Sequence, residues 1–144
     1  LQKNKVKRAV EIFDLITIDS EKIALEINKH AEKVMPVLIE VNIADEPNKS
    51  GIKPTEVINF IKQINNLKNI KIKGLMTLGP QIGAEKLQPY FKTMKQLFDH
   101  IKKLNIQNVD MEILSMGMSD SYEIAIEEGS TMIRLGRILF ENKP

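Results

Sequence analysis

Leu114-Ser-Met-Gly-Met-Ser-Asp120 leaves an apolar run, turns at a glycine and enters a helix. The lead-in from Val109 to Leu114 has the length and composition of a buried strand. Asp120 is placed to cap the helix, Glu123 three residues on completes a capping box, and Gly129 ends it. A strand that feeds a helix through a short turn is one unit of an α/β protein.

The same unit recurs on both sides of this stretch. Strands are expected at Phe13 to Ile18, Val37 to Ile43, Ile72 to Leu78, Val109 to Leu114 and Thr131 to Leu135. Between them, Ile23, Ala24, Ile27, Ala31 and Val34 recur at helical spacing over Ser20 to Val34. Pro54 begins the next helix, with Val57, Ile58, Ile61 and Ile64 as its apolar stripe. Glu85 to Asn105 carries a third stripe from Leu87 to Leu104. Helical crossovers imply parallel strands, so the expected fold is α/β, a partial (β/α)8 barrel of about five parallel strands alternating with helices. An open doubly wound sheet is the rival arrangement.

The barrel is favoured by where polar residues and glycines fall. Thr17 and Asp19, Asn42, Met76 and Thr77, Ser115 and Gly117, and Arg134 and Gly136 all stand at the C-terminal ends of expected strands, the end where barrels build their sites. A strand, a glycine turn and a helix N-terminus together aim backbone N–H groups at a phosphate. Ser and Gly also serve any βα turn as ordinary turn and cap residues. Arg134 is the lone charge in Thr131-Met-Ile-Arg-Leu135, and alternation puts it on one face with Met132. It needs either a structural carboxylate or a ligand with an anionic group or ring nitrogen. Met116 and Met118 flank Gly117 as core filling or as ligand contacts.

Composition narrows the classes. The 144 residues are 42% hydrophobic, enough for one core. The net charge of +2 comes from interspersed Lys, Arg, Asp and Glu, unlike a nucleic-acid binder. The basic cluster Lys3, Lys5, Lys7 and Arg8 reads as a solvated helix face. With no cysteine there is no disulfide or thiolate chemistry. No apolar run reaches the roughly 18 residues of a membrane span, and a cytoplasmic location is expected. His30 and His100 sit among charged helical residues without partners at metal-ligand spacing. Glu127 and Glu128 are adjacent on a helix and do not face each other.

Leu1-Gln-Lys-Asn-Lys5, Val41-Asn-Ile, Lys49-Ser-Gly51, Lys73-Gly-Leu-Met76, Pro89-Tyr-Phe91, Leu114-Ser-Met-Gly-Met-Ser119 and Glu127-Glu-Gly-Ser-Thr-Met-Ile-Arg-Leu-Gly136 resemble, in order and spacing, the pyridoxal phosphate homeostasis proteins. The resemblance implies a barrel like the N-terminal domain of alanine racemase that binds pyridoxal 5'-phosphate (PLP) and buffers or delivers it without established catalysis. It implies that Ser115, Gly117, Met118 and Ser119 line the phosphate, that Gly136 offers backbone contacts, that Arg134 faces the pyridine nitrogen, and that Asn42 and Met76 lie near the ring. It also implies that residues 1–144 are the C-terminal portion of one such barrel, and that the first strands and the Schiff-base lysine belong to a segment preceding Leu1. Glu141 stands where a glycine is usual in the family. A barrel without its first strands would expose an apolar lumen and open edges, routes to self-association. A racemase-like enzyme and an inactive barrel fragment are the alternatives; the enzyme would need a lysine and a second acid or base at the mouth.

Overall fold

Leu1 to Phe140 are described by the computed structural model, and Glu141 lies outside the described residues. Four parallel strands form one sheet in chain order: β1 (Ile16–Ile18), β2 (Met35–Glu40), β3 (Ile70–Met76) and β4 (Val109–Ser115). Helices alternate with them: α1 (Val6–Ile12), α2 (Glu21–His30), α3 (Val57–Ile64), α4 (Gln88–Lys103), α5 (Tyr122–Glu127) and α6 (Arg137–Phe140). A parallel sheet in sequential order with a helix between successive strands is the arrangement expected of an arc of a (β/α)8 barrel.

Alternation along the strands sorts the two faces of the sheet. Ile16 and Ile18, Met35, Val37 and Ile39, Ile70, Ile72 and Leu75, and Met111 and Leu114 join one core with the helices, which contribute Ile23, Ile27, Ile61, Ile64, Phe91, Met94 and Ile101. Fully burying each such side chain stabilises the fold by roughly 1.5–3 kcal/mol. The stripes expected for α2, α3 and α4 are therefore the faces these helices bury, except at their ends: α2 stops at His30 and α4 at Lys103, and Val34 and Leu104 beyond them are exposed.

The opposite face differs from the apolar lumen anticipated from sequence. It carries a charged ladder in which Lys73 Nζ lies 2.9 Å from Glu112 and 3.1 Å from Asp110, and Lys71 Nζ lies 3.2 Å from Asp110. Lys71 and Lys73 alternate with buried Ile70 and Ile72, so the strand that feeds the core also points these charges outward.

Close strand approach keeps the face in register. A Cβ on Gly74 would lie 1.8 Å from the Ile113 carbonyl oxygen, and the pairing shifts between Ile72 and Gly74 against both neighbours. The shift restores register so that Glu40, Met76 and Ser115 end in one row.

Several element ends differ from the sequence expectation for local reasons. The Phe13 N–H closes the last turn of α1 on the Ala9 carbonyl, which delays β1 to Ile16. Pro54 sits in a turn closed by Glu56 N–H on the Lys53 oxygen, so α3 starts at Val57. α5 starts at Tyr122 with Ser121 at its N-cap position, and Glu123 accepts from the Tyr122 hydroxyl instead of forming a capping box. Gly129 ends α5 as expected: its N–H bonds to Ile126 and that of Ser130 to Ala125, a Schellman arrangement.

The fifth expected strand makes a single parallel bridge, Ser115 with Met132. A continuing ladder would bring the Arg134 N–H to the Met116 carbonyl. The Ser130 hydroxyl occupies that carbonyl at 2.8 Å, and Arg134 N–H goes to the Gly117 oxygen at 3.1 Å instead. The glycine turn thus ends the pairing.

Candidate functional site

Arg134 gathers the strand ends into one site. Its Nη1 donates to Ser115 Oγ at 2.6 Å and its Nη2 to the Thr77 carbonyl at 2.8 Å. Thr77 is itself tied across the sheet, its hydroxyl donating to the Val41 carbonyl at 2.8 Å. Ser115 is 1% exposed, so this hydroxyl serves the guanidinium rather than open solvent. Loss of hydration lowers the Arg134 pKa, and Glu40 at the end of β2 opposes that shift. The guanidinium remains a cation at neutral pH.

The hydrogen-bond partners of Arg134 among the described residues are a hydroxyl and a carbonyl, while the Glu40 carboxylate acts on it through charge without a hydrogen bond. A guanidinium has five N–H donors. Those not used by Ser115 and Thr77 have no acceptor among the described residues.

The turn after β4 forms the other side of the site. Gly117 has φ +91°, and a Cβ there would lie 2.5 Å from the Ala125 Cβ. Glycine is required here by backbone conformation and by packing on α5. Met116 is buried in the core, whereas Met118 is 43% exposed, which separates the two methionines by role. The Met118 N–H is capped by Ser121 Oγ at 3.2 Å. Ser119 Oγ accepts from the N–H groups of Gly136 at 3.4 Å and Ile138 at 3.3 Å, joining the turn to the segment after Arg134. The N–H groups of Ser119 and Asp120 have no acceptor among the described residues.

A cavity of about 550 Å³ lies between Met118, Ser119 and Asp120 on one side and Arg134, Gly136 and Arg137 on the other. A second, of about 300 Å³, is bordered by Glu40, Asn42, Lys49, Ser50 and Thr77. Ser115, Gly117, Met118, Ser119, Arg134 and Gly136 are thus brought together as the sequence suggested. Met76 stands beside Ser115 in the same row, partly buried. Asn42 is less available: its Nδ2 donates to the Glu46 carbonyl at 2.7 Å and its Oδ1 accepts the Glu46 N–H at 3.1 Å.

Three contacts at the mouth escaped the sequence reading. Thr77 was visible as a polar strand end, but not as the acceptor for Arg134. Lys49, within Lys49-Ser-Gly51, borders two cavities while its Nζ pairs with Glu46 at 2.8 Å. Arg137 pairs with Asp120 across the larger cavity, a contact with no sequence signal. His30 lies 3.4 Å from Glu26, and no group of potential metal ligands occurs among the described residues. No helix among them is long and apolar enough to cross a membrane.

Comparison with known proteins agrees with this fold. The profile of the family "Alanine racemase, N-terminal domain" matches residues 1–144. The pyridoxal phosphate homeostasis protein of Pasteurella multocida is 40% identical over 97% of this chain, and that of Aquifex aeolicus is 41% identical over 97%. The chain spans 62% and 63% of their lengths. The structure of PipY from Synechococcus elongatus without PLP superimposes with a TM-score of 0.88 at 31% identity, covering 97% of this chain and 67% of PipY. PipY has also been solved with PLP bound, and that structure matches with a TM-score of 0.85 at 28% identity over 97% of this chain and 66% of PipY. The chain belongs to the alanine racemase N-terminal domain family, and within it is similar to proteins named for pyridoxal phosphate homeostasis.

Proposed function

We propose that this chain binds PLP through the cavity between the Ser119 turn and Arg134, and that it serves PLP binding and homeostasis rather than catalytic turnover. The observation that carries the reading is the Arg134 guanidinium, held on neutral oxygens at 2.6 and 2.8 Å beside that cavity. A phosphomonoester fits the donor set. The N–H groups of Ser119 and Asp120 lack acceptors among the described residues, Ser119 offers a hydroxyl, and a Cβ on Gly136 would meet nothing within 4 Å, so its backbone is open to approach.

In this reading Ser119 and the backbone near Gly136 hold the phosphate, while Gly117 shapes the turn and Met118 borders the cavity. Ser115 and Thr77 orient Arg134 toward the pyridine nitrogen, and Met76 lies beside the ring. Asn42 shapes the neighbouring loop through Glu46. PLP supplies an aldehyde and an electron-withdrawing ring. An arginine against the ring nitrogen is a permanent donor that does not surrender its proton, which leaves the ring a weaker electron sink and suits storage over turnover. The relatives' designation as homeostasis proteins supports the same role. Among the described residues β1 pairs only with β2, and light scattering over a concentration series tests whether the chain self-associates through that edge.

Calorimetric titration with PLP and with pyridoxal tests the reading, with Arg134→Ala as the variant. PLP should bind and pyridoxal should bind far more weakly. The variant should lose roughly tenfold or more in PLP affinity, the scale of a hydrogen bond to a charged group. Equal affinity for the two compounds, or an unaffected variant, would overturn it.

A further inference from the structure

A carboxylate borders the cavity assigned above to a phosphate. Asp120 lines it with Ser119, Arg134 and Arg137, and Asp120 Oδ1 accepts from Arg137 Nη2 in an ion pair. The pair spans two segments, since Asp120 belongs to the turn before α5 and Arg137 opens α6. A carboxylate at this place acts on an arriving dianion in two ways: it repels the dianion, and it occupies donors of a guanidinium that the dianion would otherwise use.

We infer that Asp120 is a resident competitor for the phosphate: it holds Arg137 when no phosphate is bound, yields it to an incoming phosphomonoester dianion, and takes it back on release. The inference rests on the phosphate-site reading above.

The two arginines of the cavity differ in the way this requires. Arg134 is anchored by Ser115 and Thr77 and is partly desolvated, so it is a fixed cation. The Arg137 and Asp120 side chains are 56% and 75% exposed. A pair so open to water is worth only roughly twofold to fivefold in an equilibrium constant, and exchange away from it costs little. A phosphate offers the guanidinium paired, charge-assisted hydrogen bonds that compensate the loss.

Charge at the cavity points the same way. Asp120 lines it together with Arg134 and Arg137, so removing the carboxylate charge makes the lining more positive by one unit toward a dianion. A protein that buffers a cofactor has to release it, and a carboxylate waiting beside Arg137 lowers the affinity and replaces the departing phosphate.

The test uses this chain with Asp120→Asn, Arg137→Gln and the double variant, each titrated with inorganic phosphate and with PLP. Binding is followed by calorimetry and by the amide resonances of Ser119 and Gly136, at low and high salt. Asp120→Asn should bind both probes tighter, on the order of fivefold, with slower dissociation. Arg137→Gln should bind both more weakly and the double variant should lie between, with all differences shrinking at high salt. An Asp120→Asn chain that binds phosphate no tighter than the unaltered chain overturns the inference. If Asp120→Asn tightens phosphate while PLP binds no better than phosphate, the competitor stands and the PLP reading falls. If PLP binding depends on its phosphate yet ignores Asp120→Asn, the competitor alone falls. If no variant binds either probe, both fall.

Discussion

Replacing Gly117 with alanine sets the turn's backbone against the packing of α5. At φ +91° an alanine pays the left-handed penalty, roughly 1–2 kcal/mol. Its new Cβ would stand 2.5 Å from the Ala125 Cβ and 3.1 Å from the Tyr122 Cα, where comfortable carbon contacts are about 3.5–4.0 Å. Ala125 is fully buried and the Tyr122 atom is backbone, so neither moves cheaply. Overpacking of this kind costs roughly 1–3 kcal/mol, giving a total of about 2–5 kcal/mol. Urea unfolding measures it: with a slope of roughly 2 kcal/mol/M the midpoint should fall by about 1–2.5 M at unchanged slope. Gly136→Ala is the internal control, because its Cβ meets nothing within 4 Å. Its stability should stay within about 0.5 kcal/mol, while PLP affinity falls because the methyl group enters the cavity. A midpoint for Gly117→Ala within about 0.3 M of the unaltered chain would refute the strain argument, since that is well under 1 kcal/mol at this slope.

Two further outcomes follow from the structure. Thr131→Val keeps the shape of the side chain but removes the oxygen that accepts the Leu114 N–H at 2.8 Å, and should cost about 1–3 kcal/mol in urea unfolding; a loss below about 0.5 kcal/mol would mean that water replaces the acceptor. The Asp110 carboxyl is held below its ordinary pKa by Lys73 first and Lys71 second. A depressed folded pKa stabilises above the unfolded value and loses that contribution as pH falls through the folded one. Asp110→Asn should therefore flatten the fall of the urea midpoint between about pH 5 and pH 2, and acid limbs that superimpose for the two chains would exclude the ladder as a source of acid sensitivity.

Regular spacing makes most of the fold legible in the sequence. The stripes Ile23, Ala24, Ile27 and Val57, Ile61, Ile64 are buried on one side of α2 and α3, because helix period and sheet burial are properties of a short run of residues. Element ends were harder to read. Phe13 looks like a strand residue, but its N–H completes a helical turn, and Pro54 fits a tight turn as well as a helix start. The fifth strand was legible as an apolar run, yet whether it pairs depends on who takes the Met116 carbonyl, and Ser130 takes it. The lumen expectation failed because alternation marks Lys71 and Lys73 as outward but does not name Asp110 and Glu112, far along the chain, as their partners.

By itself the sequence determined the α/β class, the order of strands and helices, and the position of Ser115, Gly117, Arg134 and Gly136 at expected strand ends; Met118 and Ser119 join them through the family resemblance. Periodicity and turn chemistry act over short stretches of chain, which is why they are legible there. Only the tertiary structure decided that Arg134 rests on Ser115 and Thr77, that Asn42 turns to Glu46, and that Arg137 meets Asp120 across the cavity. Those pairings join segments whose approach depends on strand register and on the left-handed turn at Gly117. A hydrogen bond is made or lost within a few tenths of an ångström, so the partner of each side chain is settled by the packed fold and not by local pattern.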